Sequence, residues 1–212
     1  CLLFSCASCG KKNTATALRA DLSGRVYTLD PQYCSTALER CLLKNCMEGL
    51  LRRLPDGTMA EGCAENYSVS ADGLRYTFTL RENLQWSDGE PLTAKDFVFA
   101  FRRLFRAETN SPYAVEFAAL ENSAAVLAGQ MPESALGVTA SGPLTLVFHL
   151  SSADDNFLEK LTLPGAMPCD EEFFNSTRGT YGLNASSTLS SGSFYICLLY
   201  TSPSPRDSTS SR

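Results

Sequence analysis

Histidine is almost absent from this sequence: His149 is the one such residue in 212. It is the side chain whose ordinary pKa lies nearest neutrality, so a zinc centre built on imidazoles or a Ser-His-Asp relay has a single residue to recruit. His149 lies in an alternating run, PLTLVFHL at 143–150, without Cys, Asp or Glu at ligand spacing beside it, and reads as a surface or partly exposed strand residue. No G-x-S-x-G elbow, P-loop or G-x-G-x-x-G turn occurs, which removes the hydrolase nucleophile and the usual nucleotide cradles. Lys and Arg are scattered, 18 against 23 acidic residues, for a formal charge of -5. A nucleic-acid face needs a basic stripe, so no nucleic-acid partner is expected. No apolar run reaches the ~20 residues that span a bilayer. With 44% hydrophobic residues, the chain can still bury a core of one large domain or two small ones.

Cysteine is plentiful, with nine residues. The opening CLLFSCASCGKKN begins at Cys1 rather than Met and reads as the back half of an export signal: an apolar segment, a small-residue cleavage region and a polar linker. It resembles a bacterial lipoprotein signal, with Cys9 the expected lipidated residue and Cys6 the alternative. A thiol is needed there because its sulfur becomes the thioether to diacylglycerol, and a further acyl chain on the new α-amine makes anchoring stable. The competing reading pairs Cys6 with Cys9 as a CxxC metal or redox motif, but zinc then lacks its second ligand pair. At the other end, CLLYTSPSPRD at 197–207 is similar to the translation of a transposase adapter used in sequencing libraries. Natural sequence is therefore expected to stop near Ile196, with the chain truncated at both ends. Cys34, Cys41, Cys46, Cys63 and Cys169 remain, an odd number without metal spacing. Buried free thiols are expected, and a Cys34–Cys41 bridge stays open until their separation is known.

Between these ends the periodicities alternate between two and about 3.6 residues. Residues 25–29 read as a short strand entering a turn at Asp30 and Pro31; residues 36–47 read as a helix carrying Leu38, Leu42, Leu43 and Met47, stopped by Gly49. LLRRL leads as a strand into the turn PDG at 55–57. ENYSVSADGLRYTFTLR is a predicted hairpin turning at Asp72 and Gly73, with Tyr76, Phe78 and Leu80 alternating against Thr77, Thr79 and Arg81. In QWSDGEPLTAKDFVFAFRRL, a tight connection precedes a variant capping box, Thr93 with Asp96 in place of the usual Glu or Gln. The helix that follows should bury Phe97, Phe101, Leu104 and Phe105, with Arg102, Arg103 and Arg106 elsewhere. ENSAAVLAG, DDNFLEKL and DEEFFNS are predicted short helices and PLTLVFHL a strand. The acidic pairs Asp154–Asp155 and Glu171–Glu172 fall at helix starts, where they favour the dipole rather than proton transfer.

Several segments occur in a recognisable order: TLDPQ at 28–32, MEGLLRRLPDGTMAEGCAENYSVSADGLRYTFTLRENLQWSDGEPLTAKDFVFAFRRL at 47–104, NSPYA at 110–114, MPCDEEFFNSTRGTYG at 167–182 and SSGSFYI at 190–196. Together they resemble the N-terminal part of the peptide-binding proteins of the ABC-transporter oligopeptide/dipeptide family, solute-binding protein family 5. The resemblance implies an α/β (mixed α+β) fold, a periplasmic-binding-protein-like two-lobed clamp with an extra lobe, here without the second main lobe. By that layout residues 1–12 are a signal and linker remnant, 13–47 start lobe I, 48–165 form the extra lobe, 166–196 return to lobe I, and 197–212 are adapter translation. It implies a non-catalytic, extracytoplasmic lipoprotein that holds an extended peptide and delivers it to the permease subunits of an ABC importer. Such a protein is a monomer held at the membrane by its lipid, without cofactor or metal. Tyr113 of SPYA is the implied ligand-facing ring with a hydroxyl free to bond, and Ser35, Thr36 and Ala37 align with a ligand-contacting loop. A relative's acidic contact is replaced by Ser35, while Trp86, Asp88, Gly89, Thr93 and Asp96 are assigned to scaffold. Alternatives are the same fold with a nickel chelate, haem or sugar as cargo, and a secreted hydrolase using His149.

Overall fold

The computed structural model describes residues 2–6, 16–20 and 24–199, with side chains from 24 to 197. The central sheet is built around the predicted hairpin. β5 (Ala64–Val69) turns at Gly73, φ +69°, into β6 (Arg75–Leu80). β8 (Thr145–His149) lies antiparallel on the far side of β6 and β7 (Val138–Ala140) closes the order β5-β6-β8-β7. Tyr76, Phe78 and Leu80 are buried while Thr77 and Thr79 are only partly covered, as a strand with one face on a core requires. Phe148 of β8 sits edge-on to Phe78, Phe101 and Phe157, with centroid distances of 5.8, 5.0 and 5.4 Å.

Above this sheet runs α2 (Ala94–Leu104), started by Thr93. The Asp96 carboxylate reaches back to the Thr93 N–H at 2.6 Å and its hydroxyl at 3.3 Å, so Asp can replace Glu in this box. Nine of the helix's eleven residues are buried. Phe97, Phe101 and Leu104 enter the main core, whereas Phe99 and Ala100 join Cys169 and Tyr181 in a second cluster on another side. This corrects the expected two-sided pattern: Arg103 is not at the surface but 2% exposed. A helix buried on several sides carries no single stripe from which the fate of its polar residues can be read.

Burial pushes the Asp96 carboxyl up to about 6, and nearby Asp170 adds to this, against the opposing Thr93 N–H bond. A raised folded-state pKa means that the folded protein takes up a proton more readily than the unfolded chain. Stability from this group is therefore full below the unfolded value near 3.8 and lost as pH rises through about 6. Asp96→Asn should flatten the pH dependence of unfolding between those limits. Urea titrations at pH 4, 5, 6 and 7 check it, and an unchanged slope in the variant would remove Asp96 as its source.

The remaining elements are short. β3 (Leu51–Arg53) is the strand expected before PDG, and the turn leads into β4 (Met59–Glu61), which was not expected and pairs antiparallel with β3. α1 (Ala37–Cys46), α3 (Ser123–Leu127), α4 (Phe157–Lys160) and α5 (Glu171–Ser176) fall where predicted. Residues 25–29 do not form the predicted strand. The N–H groups of Tyr27 and Thr28 donate to the Glu39 carboxylate, and that of Leu29 donates to the Gly182 carbonyl, so no ladder partner is left for them. A third sheet, β2-β1-β9, joins β1 (Leu2–Cys6), β2 (Thr16–Ala20) and β9 (Phe194–Leu199). The expected leader remnant and the start of the expected adapter translation thus pair antiparallel, Leu2 opposite Leu199. A five-residue apolar run satisfies both a leader and a strand pattern, and periodicity does not separate them. Cys9 and residues 200–212 lie outside the described residues.

Candidate functional site

Residues 30–37 connect the irregular stretch at 25–29 to α1 and are fastened from several sides. The Asp30 carboxylate receives two hydrogen bonds from the Arg103 guanidinium, at 2.6 and 2.7 Å, and one from the Gln32 N–H at 3.0 Å. Arg103 lies over the rings of Phe174 and Tyr181, its guanidinium carbon 4.7 and 5.3 Å from the centroids. A planar cation can use its edge on a carboxylate and its faces on aromatics together. The Asp30 carbonyl accepts from Tyr33 and Cys34. Gly182, at φ +74°, packs so close to Asp30 that a Cβ there would fall 2.4 Å from its nitrogen.

Beyond the turn, the Gln32 amide donates to the carbonyls of Gly165 and Met167, and Ser111 Oγ donates to the Gln32 carbonyl at 2.7 Å. Tyr113 Oη donates to the Cys34 carbonyl at 2.8 Å and contacts Cys34 Sγ at 3.2 Å. The expectation of a free tyrosine hydroxyl is corrected accordingly, and the Tyr113 ring is 9% exposed. Gly165 leaves room for that ring, since a Cβ there would lie 2.6 Å from the Tyr113 Cβ. Burial pushes the Cys34 thiol up to about 11, opposed by the Tyr113 bond, so it stays protonated near neutrality.

The second half of the segment is organised by Glu39. Its carboxylate accepts the N–H groups of Tyr27, Thr28, Ser35 and Thr36 at 2.9 to 3.2 Å, while Thr36 Oγ1 caps α1 by accepting from the Glu39 N–H. Burial raises the Glu39 pKa, but the backbone donors outweigh it and hold the carboxyl below its usual value. A lowered pKa gives stability that is full above the unfolded value near 4.5 and lost as pH falls through the folded one. Glu39→Ala should cost about 1–3 kcal/mol, the penalty of leaving four partly buried backbone donors without their acceptor, and should weaken acid sensitivity below pH 4.5. Thermal melts from pH 3 to 7 check both, and equal melting of variant and parent would contradict them.

Among the sequence-derived site residues, Ser35 and Ala37 are exposed and Thr36 is half-buried. They adjoin Tyr113 through Cys34. The Ser35 backbone is fully engaged, its N–H on Glu39 and its carbonyl accepting Arg40 Nη1 at 2.6 Å. What the segment offers a ligand is the Ser35 hydroxyl, the half-exposed Tyr33 ring and the Ala37 N–H, a first-turn donor without an intrahelical acceptor. Gln32, Glu39, Arg40 and Ser111 went unread in the sequence. Only Thr36-x-x-Glu39 carried a legible signal, a standard capping box. His149 is half-buried on β8, and among the described residues no His, Cys, Asp and Glu cluster suits a metal. Cys34, Cys46, Cys63 and Cys169 are buried free thiols, while Cys41 is free and exposed.

The segment at 33–37 is thus a partly exposed loop fastened by hydrogen bonds to a mixed α/β body. The match to a family model, bacterial extracellular solute-binding proteins, family 5 Middle, runs over residues 58–196, and the chain belongs to that family. It is 30% identical over 188 residues to the dipeptide-binding protein of Lactococcus lactis, covering 88% of this chain and 34% of the relative. It is 36% identical to the probable deoxycholate-binding periplasmic protein YgiS of Escherichia coli, covering 66% and 27%. Its fold is similar to Listeria monocytogenes OppA bound to peptide, with a TM-score of 0.78, 28% identity and coverage of 81% and 34%. The chain spans between 27% and 34% of these proteins' length.

Proposed function

We propose that the chain forms part of one wall of an extracytoplasmic peptide receptor and that its work is capture without chemistry. The carrying observation is the loop at 33–37, held directly by Glu39 and Tyr113 and, through Asp30, by Arg103, with its outer surface open. Prior immobilisation lowers the entropy cost of gripping a flexible ligand. The likeness to a peptide-bound OppA supports peptide as the cargo. In this reading Tyr113 supports the loop through Cys34, while Ser35, Thr36 and Ala37 meet the ligand. Residues 48–165 form the extra lobe, with 13–47 and 166–196 in lobe I. The parent protein is a monomer anchored by lipid on Cys9, or Cys6, at the outer membrane face, and passes peptides to ABC permease subunits.

A second reading keeps the fold and changes the cargo, favoured by the 36% identity to a relative named for deoxycholate. Ligand stabilises a fold by an amount that grows with concentration over Kd. Millimolar mixed tripeptides should therefore raise the melting temperature with no new amino termini released. Released termini, or a rise with deoxycholate and none with peptides, would overturn the peptide-capture reading.

A further inference from the structure

Next to the loop is a pocket of about 600 Å³ whose lining includes Arg40 and Lys44 of α1, Glu116 beyond Tyr113, and Arg53, Glu159 and Lys160. Its charges do not balance. Arg53 pairs with Glu159, and Lys160 pairs at 2.7 Å with Asp154. Arg40 and Lys44 then stand against Glu116 alone, in a chain whose overall charge is -5. The two cations are four residues apart and so share one face of α1. Lys44 is exposed and has no ion-pair partner among the described residues. Arg40 commits one of its five N–H groups to Ser35, and its guanidinium is near enough to lower the Tyr113 pKa, against the larger upward effects of burial and the Cys34 contact. The neighbouring Glu39 charge is spent on four backbone donors.

We infer that this pocket is a specificity subsite for a ligand carboxylate, with Arg40 and Lys44 as its recognising residues. It rests on the peptide-binding reading and sharpens it. With serine at position 35, the loop has no acid of its own to attract an amine, and the cations one turn further on attract the opposite charge. The carboxylate comes from an acidic side chain or from the peptide's C-terminus.

The test is to titrate the chain with four tripeptides while following backbone amides by NMR: Ala-Gln-Ala amide, Ala-Glu-Ala amide, Ala-Lys-Ala amide and Ala-Gln-Ala with a free C-terminus. At least one carboxylate peptide should bind about three- to fivefold tighter than Ala-Gln-Ala amide, the size of a partly exposed ion pair. Which one does so identifies the source. Lys44→Gln, which leaves the loop bonds intact, should reduce the preference, as should Arg40→Gln and 0.5 M salt. If the amide and lysine peptides bind as tightly as the acidic ones, or the preference survives both substitutions, the subsite is overturned while peptide binding stands. If no peptide perturbs any amide at millimolar concentration, both fail together.

Discussion

Arg103→Met is expected to lower the unfolding free energy by about 3–5 kcal/mol, because it leaves the Asp30 carboxylate buried without its cation. The pair is among the least exposed polar groups in the chain, at 2% and 4%, and its bonds link α2 to the turn at Asp30. Asp30→Leu should cost a similar amount by stranding the guanidinium. The double variant Arg103→Met/Asp30→Leu should recover much of the loss, since apolar replacement of a whole buried pair is often neutral or better. Urea unfolding of the four proteins closes the cycle. Single losses below about 1 kcal/mol, the size of an exposed pair, would contradict the role given to Arg103.

Phe148→Ala should cost a comparable 3–5 kcal/mol, roughly the loss of transfer energy plus the cavity left behind. Phe148 is fully buried, on a strand flanked by β6 and β7, with edge contacts to rings from β6, α2 and α4. Neighbours held by two sheet ladders and a helix cannot close over the gap. The same urea experiment reads the effect. A cost under about 1 kcal/mol would mean that the aromatic cluster is not the seat of the chain's stability.

The hairpin at 64–80 and the first half of α2 were legible because each buries one face against a core, and alternation or helical spacing marks such faces directly. The Asp-Gly turn and the Thr93–Asp96 cap delimit them. Arg103 was not legible: its burial depends on Asp30, 73 residues earlier, and on Phe174 and Tyr181, more than 70 later. No local pattern encodes such a meeting. The strand expected at 25–29 fails for the same reason, since the Tyr27 and Thr28 amides are taken by Glu39, a residue whose sequence context announces only a helix cap. At the candidate site, the family resemblance pointed to a segment but carried nothing about its hydrogen bonds. The Tyr113 hydroxyl, expected to be free, is taken by the Cys34 carbonyl, and the Ser35 backbone, for which the sequence carried no expectation, is taken by Glu39 and Arg40.

Peptide capture by a pre-fastened loop at 33–37 would leave its mark on the amides of that loop. The most direct measurement is a backbone amide map of the chain, recorded with and without millimolar mixed tripeptides. Weak saturable shifts concentrated at Tyr33, Ser35, Ala37 and Arg40, with unchanged peptide at the end, are expected. Shifts confined elsewhere, such as the 840 Å³ groove bounded by Lys95, Arg102 and Met131, would contradict the account.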